Sequence, residues 1–60
     1  MKPLAERILE YRALHDISAK EFAQMCKLSL QTVYSIENGL QTPSKITLLK
    51  IENVLNKKEG

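Results

Sequence analysis

The sequence predicts an all-α fold, a compact domain of four helices. Three observations carry this. Apolar residues recur at helical spacing in four segments. A capping residue or a proline stands at the head of each segment. No run alternates with β period, and no hairpin turn joins two strand-like runs. The chain has 60 residues, enough for one domain. At this size a chain buries only about 60% of its unfolded surface, so the core is marginal.

The first helix is expected from about Pro3 to Leu14. Proline suits the first helical position, where its missing N–H would have no partner. Leu4, Ile8 and Tyr11 mark the inward face. His15 and Asp16 follow at the helix end, where a histidine answers the carbonyl end of the dipole. The second helix opens on "ISAKEF". Ser18 and Glu21 have capping-box spacing, and Ile17 and Phe22 occupy the two positions of a hydrophobic staple. Phe22, Ala23 and Cys26 form its buried face, with Cys26 a small core residue rather than a reactive thiol.

Ser29 caps the third helix, and Leu28 and Val33 staple across that cap. Val33 and Ile36 point inward. Asn38-Gly39 ends the helix, with Gly39 suited to a left-handed backbone. After a short loop, Pro43-Ser44 opens the fourth helix, which ends near Asn56 with Leu48, Ile51 and Leu55 as its apolar stripe. The domain is read as residues 1–56 and the polar tail as 57–60.

The net charge of +2 and the pI near 8.9 permit nucleic-acid binding without requiring it. From Ser18 to Lys50 there are four lysines, Lys20, Lys27, Lys45 and Lys50, against Glu21 and Glu37. Between Lys27 and Ile36 there is no acid. A single cysteine rules out an internal disulfide and fits a reducing, cytoplasmic compartment. No apolar run approaches the ~20 residues that cross a bilayer. The start "MKPLAERIL" does not read as a signal peptide. One histidine, one cysteine, no metal-ligand spacing and no Gly-rich phosphate loop argue against an enzyme, a metal or a cofactor.

Only about three residues link the second and third helices. A link this short fits a helix-turn-helix, and it also fits the tight corner of other small α domains. The outer face of the third helix says more. Removing Val33 and Ile36 leaves Leu30, Gln31, Thr32, Tyr34 and Ser35. Gln pairs bidentately with adenine, Thr and Ser hydrogen-bond base edges, and Leu packs on a thymine methyl. Base reading needs such groups in the middle, while cations on the flanks hold phosphates.

The stretch "SAKEFAQMCKLSLQTVYSIENGLQTPSKITLLKIENVL" resembles the XRE, or Cro/phage-repressor, helix-turn-helix family, whose fold is lambda-repressor-like. Ala23 in the second helix, "LS" before the third, "VYSIENG", Pro43 and "LLKI" carry the resemblance over roughly residues 4 to 55. It implies a repressor-type transcriptional regulator that binds double-stranded DNA. The recognition helix, 29–37, would read the major groove. Leu30, Gln31 and Ser35 would read bases, and Thr32 and Tyr34 would touch bases or backbone. Asn38 and the loop through Thr42 would grip phosphate, as would Ser44 and Lys45 at a helix N-terminus. Lys20 and Lys27 would flank them. Arg12 falls where some phage repressors hold an arginine against the glutamate matching Glu37, so a largely buried Arg12–Glu37 pair is expected. The implied partner is an operator with two half-sites, bound by a homodimer in the cytoplasm, at the nucleoid. No small-molecule ligand and no membrane are implied.

The chain departs from the family pattern at three places. Ala19 stands where the family often has a phosphate-touching Gln, so that contact is missing or passes to Lys20. Lys27 stands where the turn usually has Gly. A left-handed backbone there costs lysine about 1 kcal/mol relative to glycine. Many members continue into a fifth helix that aids dimerisation, and this sequence reads to Gly60 without one. The rival function is a protein-interaction module of helix-turn-helix type, antitoxin-like or attached to a regulator, with Leu30 and Tyr34 as contact residues.

Overall fold

Capping chemistry written into the sequence sets the helix starts. In the computed structural model, which describes residues 3–56, the order is α1 (Leu4–His15), α2 (Ala19–Cys26), α3 (Leu30–Glu37) and α4 (Lys45–Leu55). Among the described residues there is no strand. The expected tail, 57–60, lies outside them. Ser18, Ser29 and Ser44 each accept a hydrogen bond from the backbone N–H three residues on, at Glu21, Thr32 and Thr47. Ser18 closes a full capping box, because Glu21 Oε1 also accepts from the Ser18 N–H at 3.1 Å. Pro3 stands just before α1 instead of at its first position. Its ψ of 151° is extended, and its carbonyl accepts the Arg7 N–H at 3.1 Å. The C-terminal bound of α1 also moves by one residue, from Leu14 to His15.

Three helices end in the same way. Asp16, Lys27 and Gly39 have positive φ, at 53°, 59° and 71°. In each case this residue and the next return N–H bonds to the last turn. Asp16 and Ile17 bond Ala13 and Arg12, Lys27 and Leu28 bond Gln24 and Ala23, and Gly39 and Leu40 bond Ile36 and Ser35. This paired arrangement satisfies carbonyls that a bare helix end would leave open. The left-handed backbone considered for Lys27 is present. Asp16 does the same without having been expected to. Aspartate enters this region more readily than most side chains.

The core draws on all four helices. Ile8 comes from α1, Ala19, Phe22, Ala23 and Cys26 from α2, Val33 and Ile36 from α3, and Ile51 and Val54 from α4. Leu4, Tyr11, Ile17, Leu28 and Leu55 pack around it. Tyr11 meets the Phe22 ring edge-on at 5.7 Å and ties α1 to α2. Phe22, Ile8, Ile51 and Val33 are sealed from water, and each contributes roughly 1.5–3 kcal/mol by burial. One core assignment changes and one residue is added. Leu48 lies at the edge of the α4 stripe and is 37% exposed; Val54 takes its place beside Ile51. Ala19 completes an i, i+3, i+4, i+7 face with Phe22, Ala23 and Cys26 and is buried, so it offers nothing to a ligand.

Helix α3 packs on α2 and α1, and α4 packs on the same pair. Lys27, Leu28 and Ser29 form the turn between α2 and α3. Leu28 anchors it inward while Lys27 and Ser29 stay outside.

Candidate nucleic-acid interface

Burial of Val33 and Ile36 fixes the rotation of α3 about its axis. The opposite side presents Leu30, Gln31 and Tyr34 to solvent, with Tyr34 48% exposed. Thr32 and Ser35 lie on the shoulders and are half-buried. The Thr32 hydroxyl is engaged: its Oγ1 is 2.7 Å from Ser29 Oγ, which also accepts the Thr32 N–H. Of the five residues expected on the outer face, three are exposed, Leu30 least at 36%, and Thr32 doubles as a cap partner.

The flanks carry the cations. Lys20 in the first turn of α2, Lys27 in the turn and Lys45 at the start of α4 are all exposed. Thr42 is exposed in the loop before α4. Ser44 Oγ accepts from Thr47 N–H at 3.3 Å and donates to Thr47 Oγ1 at 3.1 Å. This repeats the Ser29–Thr32 arrangement. The S-x-x-T spacing shared by Ser29–Thr32 and Ser44–Thr47 is the sequence signal for both. The substitution of Thr for an acid has an electrostatic result. Helix α2 has Glu21 in its first turn, whereas α3 and α4 have no acid there. The first turns of α3 and α4 therefore set no carboxylate against the positive end of the helix dipole.

Asn38 is exposed, and its Nδ2 donates to the Tyr34 carbonyl at 2.8 Å. The side chain closes the α3 terminus, and its second amide N–H is available to another acceptor.

Glu37 is turned away from this surface. The Nη1 of Arg12 lies 2.9 and 2.8 Å from its two carboxylate oxygens, and the side chains are 23% and 7% exposed for Arg12 and Glu37. Helix α1 is thereby tied to the last turn of α3. A second ion pair joins α1 to α4: Arg7 Nη2 lies 2.7 Å from Glu52 Oε1, with both side chains about one-third exposed.

The remaining reactive groups stand apart. Burial lifts the Cys26 thiol from 9.0 to about 11, so it stays protonated at neutral pH. The His15 ring lies against Tyr11, centroids 4.2 Å apart, on the exposed end of α1. Among the described residues, no group of His, Cys, Asp and Glu could hold a metal ion, and no helix is long and apolar enough to cross a membrane.

Compared with known families, residues 8–60 match the family model HTH_3, described as helix-turn-helix. No curated protein and no solved structure gives a match.

Proposed function

The chain belongs to the XRE-type helix-turn-helix family of DNA-binding regulatory domains, and from that premise we propose that it is a sequence-specific repressor of transcription whose recognition helix is α3. The observation that carries the reading is the contrast in capping. The two helices that would meet DNA end-on, α3 and α4, begin on Ser–Thr pairs without an acid, and α2 begins on a capping box with Glu21. Leu30, Gln31 and Tyr34, with Ser35 and the Thr32 methyl on the shoulders, read base edges in the major groove. Lys20, Lys27, Lys45, Asn38, Thr42 and the Ser44 end of α4 hold phosphates and set the docking register. The protein acts in the cytoplasm as a homodimer on two half-sites about 10 bp apart, one turn of the duplex.

Selection of bound duplexes from a random pool, followed by titration of the winner against salt, tests this. A single enriched palindromic site is expected. Log affinity should fall linearly with log salt, with a slope of about −0.9 per phosphate neutralised. Sedimentation with the winning duplex should give two chains per site.

A second reading has its own support in the exposure of Leu30, Tyr34, Leu40 and Ile46, the last two at 79% and 69%. Exposed apolar side chains of this kind suit a protein partner. No enriched duplex, together with a salt-independent protein complex, would select that reading.

A further inference from the structure

The Asn38–Gly39 pair closes α3, and its chemistry is not used up by the cap. Asparagine followed by glycine is prone to cyclise, because glycine has no Cβ to obstruct attack by its own nitrogen on the preceding side chain. The Gly39 nitrogen attacks Asn38 Cγ and forms an N–C bond, its proton passes through solvent to Nδ2, the Cγ–Nδ2 bond breaks and ammonia leaves. Water then opens the resulting succinimide to aspartate or to the isoaspartyl isomer. Neither an oxidant nor a cofactor is needed.

Both reacting groups are held back in the folded chain. Asn38 Nδ2, the leaving nitrogen, is bonded to Tyr34 O at 2.8 Å. The attacking nitrogen, of Gly39, donates to Ile36 O at 3.1 Å, and the next N–H, of Leu40, bonds Ser35 O at 2.8 Å. Asn38 is exposed, Gly39 has φ +71°, and no atom lies within 4 Å of where a Cβ on Gly39 would sit. The site is therefore open to water and restrained only by the hydrogen bonds of the cap. Helix ends open locally at far lower cost than the core.

We propose that Asn38–Gly39 is a site of spontaneous deamidation gated by opening of the α3 cap. Conversion removes the amide that donates to Tyr34 O and leaves a carboxylate beside Glu37 at the negative end of the helix dipole. The isoaspartyl product also lengthens the backbone by one methylene and breaks the cap. The consequence for binding rests on the DNA reading above: a new negative charge at the interface edge repels phosphate.

The full chain, incubated in mildly alkaline buffer and followed by intact mass and peptide mapping, tests the chemistry. Asn53 and Asn56, followed by Val54 and by a lysine, serve as internal comparators. In denaturant, Asn38 should convert far faster than either. In native buffer its conversion should be slow, and it should accelerate with urea well below the unfolding midpoint. Equal rates in native buffer and denaturant, or no preference for Asn38 in denaturant, would overturn the proposal. In binding assays Asn38→Asp should lose about tenfold or more in duplex affinity. Full affinity in Asn38→Asp would overturn the functional half. A parent chain that binds no duplex at all would instead count against the DNA reading, and the mass measurement would still decide the deamidation.

Discussion

A single nitrogen, Arg12 Nη1, bonds both carboxylate oxygens of Glu37 at 2.9 and 2.8 Å, across 25 residues of sequence. Glu37 is nearly sealed by the contact, at 7% exposure. Removing one member of such a pair leaves a buried charge without a partner, which costs roughly 3–5 kcal/mol. Glu37→Ala should therefore unfold at much lower denaturant than the parent. Glu52→Ala breaks the Arg7–Glu52 pair, which is one-third exposed on each side, and should cost at most about 1 kcal/mol. Matching midpoints for the two variants would show that Glu37 is solvated and that the tie between α1 and α3 is not structural.

Lys27 holds a left-handed backbone that the position would grant to glycine freely. Lys27→Gly should raise stability by roughly 1 kcal/mol or less, since loss of the cation from the α2 terminus offsets part of the relief. If Lys27 also holds a phosphate, the same variant should bind duplex more weakly, with a salt slope shallower by about 0.9. Lys27→Asn, neutral but tolerant of this backbone, should show the same binding loss. A Lys27→Gly variant that is less stable than the parent would refute the strain argument.

The helices were legible in this sequence because their punctuation is local. Ser18, Ser29 and Ser44 each announce a start within four residues, and Asn38-Gly39 announces a stop. Core membership was less legible where it depends on how helices rotate against one another. Leu48 lies outside the core and Ala19 inside it for that reason: a leucine at a stripe edge and a small residue near a cap carry weak periodic signals. Asp16 was missed as a left-handed stop because aspartate serves equally well in ordinary turns. The Arg7–Glu52 and Arg12–Glu37 contacts are tertiary, and no spacing rule reaches across 45 or 25 positions. Arg12–Glu37 could be anticipated only through the family resemblance. The outer face of α3 could be listed by subtraction, but the engagement of Thr32 with Ser29 could not.

The Cys26 thiol gives a pH dependence with a definite sign. Burial raises its pKa from 9.0 to about 11. The unfolded chain ionises first, so this group's contribution to stability is fully present below about pH 9 and is lost as pH rises toward 11. Other groups titrate in the same range, so the informative quantity is the difference between the parent and Cys26→Ala. Urea midpoints of the two should converge as pH rises through that window. A constant difference would mean that the thiol ionises equally in both states.

The division of labour on α3 and its flanks predicts three distinct failures from three substitutions. Gln31 is exposed and can form two hydrogen bonds to one base, worth about 1–3 kcal/mol of discrimination. Gln31→Ala should relax preference at one base pair per half-site and leave the salt slope unchanged. Lys45 is an exposed cation at an acid-free helix start. Lys45→Ala should weaken every duplex alike and flatten the salt slope by about 0.9. Thr32 differs from both, because its hydroxyl is committed to Ser29. Thr32→Val should lower the unfolding free energy by about 0.5–1.5 kcal/mol, the net worth of one hydrogen bond, while the selected sequence stays the same. Selection profiles and denaturation curves on the three variants separate these outcomes. If Gln31→Ala kept the parent's base preference while Thr32→Val changed it, α3 would be rotated in the groove so that Thr32 and not Gln31 faces the bases.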